Sequence, residues 1–212
     1  MILRQTERIS GIIRSLLDYT RPRRPELRQV SPLPILARVA DMLLGRCREQ
    51  GVRIQIELPP GLPQVMGDAD QLQQLFLNLL LNALDASPAG GTIRVTAGLD
   101  PLLAAEGRVA ITRGRAEAAC LALHIVDGGN GISGEQLDQV FQPFFSTKGR
   151  GQGTGLGLPI AEEIVRGHRG EIEMLSIPRG GTEVIVRLPL ARAAAAGPEA
   201  AEPAPAAGEH ER

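Results

Sequence analysis

The segment Asp70–Ala86 constrains the fold more than any other stretch of the chain. Leu72, Leu75, Phe76, Leu77, Leu79, Leu80, Leu81, Ala83 and Leu84 make it apolar nearly all round. One polar stripe interrupts that surface: Gln71, Gln74, Asn78, Asn82 and Asp85, spaced three or four apart. A helix of this kind belongs inside a domain that covers it on most sides. Carboxamides buried there without partners would be costly, so the stripe faces a solvated edge, an internal polar partner or a ligand cavity. An amide carbonyl is a hard oxygen donor suited to Mg²⁺, which keeps most of its waters and takes few protein ligands. On that chemistry Asn82 is a candidate metal ligand.

The flanking pattern supplies the layers around such a helix. A helix at about 33–49 is followed by a period-two strand, Val52–Leu58, and by the break Pro59-Pro60-Gly61. Strand signals recur at 92–97, 108–112 and 120–126, the second a weak strand inside a long connection at 98–119. A polar, glycine-rich stretch covers 127–154, a helix follows at 155–167, and strands at 171–176 and 182–189 close the body. Several strands with three helices predict an α/β class, a two-layer α/β sandwich with a mixed sheet and helices on one face. At 212 residues and 43% apolar content, the chain has room for one such domain with appendages.

The appendages are the two ends. In residues 1–20, Ile2, Ile9 and Leu16 repeat at seven with Ile13 and Leu17 beside them, so one bundle helix is expected to precede the body. Arg21-Pro22-Arg23-Arg24-Pro25 ends it. Residues 191–212, with ten Ala and three Pro and no apolar periodicity, are expected to be a disordered tail. The expected domains are therefore 1–22, 23–190 and 191–212.

Several classes of function are excluded on composition. Net charge is −1, which offers no basic field for nucleic acid. Aromatic residues are 2% with no Trp, so base-stacking platforms are not expected. Cys47 and Cys120 lack metal or disulfide spacing and read as buried free thiols. No run of 18 uncharged apolar residues would span a membrane and no signal peptide is read; a soluble, cytoplasmic chain is expected. Against 22 Arg, Lys148 is the one lysine, at a position that has kept an ammonium.

Two further segments carry chemistry. The strand Leu121–Val126 delivers Asp127 at its end, followed by Gly128, Gly129, Asn130 and Gly131. Gly129–Gly134 formally fits G-x-G-x-x-G, but some twenty residues on stands Arg150 rather than an acid for a ribose, which argues against a dinucleotide site. Gly149, Gly151, Gly153, Gly155 and Gly157 then alternate directly into a helix. Exposed backbone N–H groups there, with a helix N-terminus, suit phosphates. No Gly-Lys-Ser/Thr follows, so this is not a Walker loop.

In order, Asn78-x-x-x-Asn82-Ala83-x-Asp85-Ala86, Asp127-x-Gly129-x-Gly131, Phe141-x-Pro143-Phe144-Phe145, Gly153-Thr154-Gly155-Leu156-Gly157-Leu158 and Gly180-Gly181-Thr182 resemble the boxes of the catalytic ATP-binding domain of sensor histidine kinases. Leu16-Leu17-Asp18-Tyr19-Thr20-Arg21-Pro22 looks like the end of the second dimerisation helix in nitrogen-regulatory, zinc and acetoacetate kinases. The resemblance implies a Bergerat-type site for ATP and Mg²⁺. In it Asp127 would accept from the adenine amino group, Asn82 would hold Mg²⁺ and Asn78 would help position metal or water. Segment 132–152 would form a lid anchored by Phe141, Phe144 and Phe145, with Lys148 near the phosphates. Gly153, Thr154, Gly155, Leu156 and Gly157 would wrap the triphosphate, and Thr182 would line the adenine end. Asp85, Gly129, Gly131 and Ile132 complete the implied nucleotide set, and Asn78 and Lys148 are the implied catalytic pair. In related ATPases the position of Asn78 is a glutamate that activates water; an amide is no general base, which favours phosphoryl transfer over hydrolysis.

The sequence departs from the family pattern in two places. Gly128 stands where the second box carries Asn. The acceptor histidine also lacks its context: His124 lies on a strand, His168 in what reads as a surface turn and His210 in the tail. The implied partners are therefore a histidine-bearing dimerisation helix absent from this chain and a response regulator. The full-length kinase is expected to be a homodimer, with no nucleic acid and no membrane segment in this part. The competing expectations are a stand-alone anti-sigma-type serine kinase and a catalytically inactive ATP-sensing module of the same fold.

Overall fold

The computed structural model describes residues 24–99, 109–114, 119–147, 153–177 and 179–191. The expected bundle helix, the expected tail except Ala191, and Lys148 lie outside the described residues. Within them a six-stranded mixed sheet has the order β2-β4-β6-β8-β7-β5. The strands are β2 (Arg53–Glu57), β4 (Thr92–Leu99), β5 (Val109–Gly114), β6 (Cys120–Asp127), β7 (Glu171–Ile177) and β8 (Gly181–Pro189). β2 and β4 run parallel, with Ile54 beside Ile93 and Ile56 beside Val95, and every other pairing is antiparallel. Two short strands, β1 (Arg28–Val30) and β3 (Val65–Gly67), pair with each other; the sequence reading did not anticipate them. A four-residue helix, α3 (Gly134–Leu137), was likewise not anticipated within the glycine-rich stretch.

Three longer helices, α1 (Pro32–Gln50), α2 (Ala69–Ala86) and α4 (Gly157–Gly167), cover one face of this sheet. Pro32 opens α1 at the position where a missing N–H costs nothing. Asp68 caps α2, its Oδ1 accepting from the N–H groups of Asp70 and Gln71. α2 is the central helix of the layer, with α1 and α4 packed on either side. Leu72, Leu75, Phe76 and Leu80 on it are fully buried, each contributing about 1.5–3 kcal/mol of apolar burial. From the sheet, Ile93, Val95, Leu121, Leu123 and Ile172 meet them in one core.

The other face of the sheet is polar with a small apolar patch of Ala122, Leu175 and Ile185. Arg187, 5% exposed, lies there between Glu171 and Glu173, 2.9 Å from each. His124, expected as a satisfied sheet residue, has Nδ1 2.8 Å from Glu183 Oε1 on the adjacent strand. Cys47 is buried and Cys120 half-buried, and neither is in a disulfide.

Candidate functional site

Between α2, the β6–β8–β7 part of the sheet and the loops on either side of residues 148–152 lies a cavity of about 620 Å³. That size falls within the range of small-molecule sites, about 300–1,000 Å³. The far half of the α2 stripe resolves the choice the sequence left open: Asn78, Asn82 and Asp85 all line the cavity. Its floor is apolar. Ile125 and Met174 flank Val184 in register on three neighbouring strands, and all three point into it.

Asp127 ends β6 at the floor's edge, 7% exposed. Its Oδ1 accepts from Gly129 N at 2.8 Å and from Thr182 N at 3.3 Å; Thr182 is its register partner on β8. Among the described residues no donor reaches the second carboxylate oxygen, so a fixed acceptor is presented to the cavity. Burial pushes the Asp127 carboxyl above the usual carboxylate range, against the two N–H bonds that favour its ionised form. Gly129 is required by close approach, since a Cβ there would lie 2.5 Å from the carbonyl oxygen of Ala86 at the end of α2. The turn after β6 and the last turn of α2 are thus in direct contact.

At the other end, α2 meets the start of α4. A Cβ at Gly157 would be 3.5 Å from Asn82 Nδ2 and 3.7 Å from its Oδ1, so the Asn82 amide and the first turn of α4 face the same space. Leu156 N donates to Thr154 Oγ1, which shapes the entry to the helix. Gly155 has φ +65°, and a side chain on it would run into the backbone of Phe144. Phe144 N donates to Gly155 O at 3.0 Å, tying the two loop arms together. Asn78, one turn before Asn82, has its Nδ2 buried with no hydrogen-bond partner among the described residues. Such an amide group destabilises a fold by roughly 1–3 kcal/mol, a cost expected where a ligand rather than the protein satisfies it.

Of the remaining anticipated residues, Gly131, Ile132, Gly153, Thr154, Gly155, Gly157 and Thr182 line the cavity. Phe141 and Leu156 sit in the core behind it, 6% and 1% exposed, and Gly129 packs on Ala86. Phe145 lines the cavity, but Phe144, expected as a lid anchor beside it, is 66% exposed and anchors through its backbone only. Lys148 lies outside the described residues. His168 is corrected from a surface turn to a core residue, 1% exposed. Its Nδ1 donates to Ile164 O at 2.7 Å and its Nε2 accepts from Asp68 N at 3.0 Å, clamping the end of α4 to the cap of α2. Burial holds its pKa below the ordinary imidazole value.

The sequence reading missed Arg46. It reaches the cavity from α1, its Nη2 2.8 Å from Asp85 Oδ1, and it is the only cation among the described residues lining the cavity. No local pattern marks it, because its partner is 39 residues away. The apolar floor was more accessible: Ile125 stands two before Asp127 on a period-two strand and must share its face. Among the described residues no group of three or more His, Cys, Asp or Glu could hold a metal, and no helix is long and apolar enough to cross a membrane.

Comparison with known proteins agrees with this architecture. The sensory histidine kinase/phosphatase NtrB of Rhodobacter capsulatus is 35% identical over 191 residues, covering 90% of this chain and 52% of that protein. The chain spans about half or less of the length of the curated relatives it matches. Among solved structures, the mycobacterial sensor histidine kinase MprB superimposes with a TM-score of 0.61 at 26% identity, over 77% of this chain and 97% of that one. Full-length ShkA in complex with AMPPNP shares the fold with a TM-score of 0.71 at 24% identity, over 92% of this chain and 38% of ShkA. A family model for histidine kinase-, DNA gyrase B- and HSP90-like ATPases matches residues 67–192, more than half of the sequence, and the chain belongs to that family.

Proposed function

We propose that residues 23–190 form the Mg²⁺-ATP-binding catalytic unit of a sensor histidine kinase. In this reading the unit transfers the γ-phosphate to a histidine on a dimerisation helix, for relay to a response regulator. The observation that carries the reading is the pairing, across one cavity, of the fixed Asp127 acceptor with the Asn78 and Asn82 amides beside the start of α4. Asp127 accepts from the adenine amino group, and the apolar floor of Ile125, Met174 and Val184 takes the ring. The N–H groups opening α4, with Gly153–Gly157, hold the phosphates. Asn82 fits Mg²⁺ as a single carbonyl-oxygen ligand, the rest of the shell being phosphate and water. Bound there, the ion would neutralise charge developing on the transferred group. The unpartnered Asn78 Nδ2 suits a phosphate oxygen or an ordered water and cannot abstract a proton, which favours transfer to a protein group over hydrolysis.

Neither histidine among the described residues is placed to be the acceptor. His168 has both ring nitrogens engaged in the core, and His124 is paired with Glu183 on the sheet face away from the cavity. The AMPPNP complex of ShkA supports a nucleotide in this fold, and NtrB is by name a kinase/phosphatase. The test is calorimetric titration with ATP and GTP, with and without Mg²⁺. It is followed by incubation with γ-labelled ATP and a two-helix bundle carrying a His-Glu-x-x-x-Pro motif. Mg²⁺-dependent, adenine-selective binding and an acid-labile phosphoryl label on the bundle are expected. Binding without label transfer to any supplied bundle would favour an ATP-sensing module, and label on serine would favour the anti-sigma type.

A further inference from the structure

We infer that Asp85 and Arg46 together read the ribose of the nucleotide, with Asp85 accepting from the sugar hydroxyls and Arg46 acting as its positioning residue. The inference rests on the ATP reading above and concerns a part of the cavity which that reading leaves without a role. Along α2 the wall of the cavity runs Asn78, Asn82, Asp85, and the helix then ends with Ala86 against Gly129, next to Asp127. At a rise of about 1.5 Å per residue, Asp85 lies some 4.5 Å beyond Asn82 toward the end where Asp127 stands. A base at Asp127 and phosphates at Asn82 therefore bring the sugar to the level of Asp85.

The chemistry of the pair fits hydroxyls and not phosphate. A carboxylate is an acceptor only, and against a phosphate it would repel; against a sugar it takes two donors. A carboxylate offers about four lone-pair directions, so accepting a hydroxyl adds to the bond from Arg46 Nη2 rather than displacing it. The guanidinium comes from a different helix, α1, and fixes the rotamer of a side chain near the helix end. It also balances the Asp85 charge in a site that must admit a polyanion. The pair is 47% and 24% exposed, as expected of a sugar edge facing the cavity mouth rather than of a core bridge.

The test measures affinities of the full chain for ATP, 2′-deoxy-ATP and 3′-deoxy-ATP by calorimetry, for the wild type, Asp85→Ala, Arg46→Ala and Arg46→Lys. A hydroxyl bonded to a charged acceptor predicts that removing it weakens binding roughly tenfold in the wild type. Asp85→Ala should bring the ATP/deoxy ratio to about one. Arg46→Ala should shrink it, and Arg46→Lys should restore part of it. Equal affinity of the wild type for all three nucleotides overturns the inference. So does an Arg46→Ala variant that loses ATP and ADP affinity while the ratio and adenosine binding stay unchanged, since that marks a phosphate contact. The two readings fail separately: if ATP binds and Asp127→Asn abolishes it while the sugar is not discriminated, only the ribose inference falls. If no adenine nucleotide binds, both fall.

Discussion

Asp127→Asn isolates one atom of the proposed adenine contact. The amide has the shape of the carboxyl, and its carbonyl oxygen can keep both bonds that Oδ1 now accepts, from Gly129 N and Thr182 N. The second oxygen then becomes an NH₂ group, so an acceptor facing the cavity turns into a donor facing the adenine amino donor. Losing a hydrogen bond to a charged acceptor costs about 1.5–3 kcal/mol, and leaving two buried donors opposed adds about 1–2 kcal/mol. Together they predict a loss of ATP affinity of roughly a hundredfold to a few thousandfold. The fold itself should not suffer. Burial raises the Asp127 pKa, so the folded protein holds a proton there in a window above pH 3.8 where the unfolded chain has lost it, and stability falls as pH rises through that window. A neutral amide removes this cost, so the melting temperature should stay level or rise. In the wild type, acidification into the same window should weaken ATP binding, because the proton goes to the oxygen that faces the ligand. Calorimetric titration with thermal unfolding in parallel is the assay. An Asp127→Asn variant that folds and binds ATP within threefold of the wild type refutes the adenine assignment.

Other perturbations test the remaining parts. Asn78→Leu should raise the stability of the free protein by about 1–2 kcal/mol in urea unfolding, since it removes a buried unpartnered amide group, while reducing phosphoryl transfer; a loss of stability would contradict this. Arg187→Met should cost about 3 kcal/mol because Glu171 and Glu173 would be left facing each other, and Glu173→Gln in that background should recover part of it; a change under 1 kcal/mol would show the cluster to be solvated. His168 has a folded pKa below its unfolded value, so the unfolded chain binds more protons between the two, and stability should fall as pH drops from about 6.5 by at most about 1.4 kcal/mol per unit. Denaturation at pH 7 and pH 5 should show a difference that is smaller in His168→Gln, and equal differences would refute the clamp. A Cβ at Gly128 would meet nothing within 4 Å, so Gly128→Asn should fold normally and hold ATP at least as tightly as the wild type; weaker binding would mean that glycine is needed there for function.

How much of this was legible depended on whether the signal was local. The α2 stripe was readable because polar residues on an apolar helix must meet water, a polar partner or a ligand; the structure makes the choice, and the cavity takes three of the five, Asn78, Asn82 and Asp85. The end of β6 was readable for a similar reason: a strand buried on alternate positions places Asp127 on the face of Ile125. The short strands were not. Arg28–Val30 and Val65–Gly67 are too short for a period and exist because each gives the other its ladder, across more than thirty residues. His168 was misread because Gly167-His168-Arg169-Gly170 has the composition of a turn, and a turn is ordinarily on the surface. Its burial follows from Asp68, a hundred residues earlier, whose N–H needs an acceptor at the cap of α2. Arg46 escaped for the same reason.

These long-range terms also bear on what the proposed reaction requires. The His168 ring cannot leave its place without taking the acceptor from Asp68 N and breaking its own Nδ1 bond to the Ile164 carbonyl, and a phosphoryl group has no room on a ring that is 1% exposed. His124 alternates away from Ile125 and Asp127 along β6, so the sheet itself stands between it and the cavity. Both described histidines are thus held by structure, each with a partner that accounts for its presence. In the proposed reaction the nucleotide end would be held by residues of this domain, from Asp127 through Asn82 to the first turn of α4. The proposed transfer would then need a histidine brought to the mouth of the cavity by another segment. On that reading the binding of ATP would be separate from its use: a signal could act on the approach of the acceptor without altering a contact of the proposed adenine pocket.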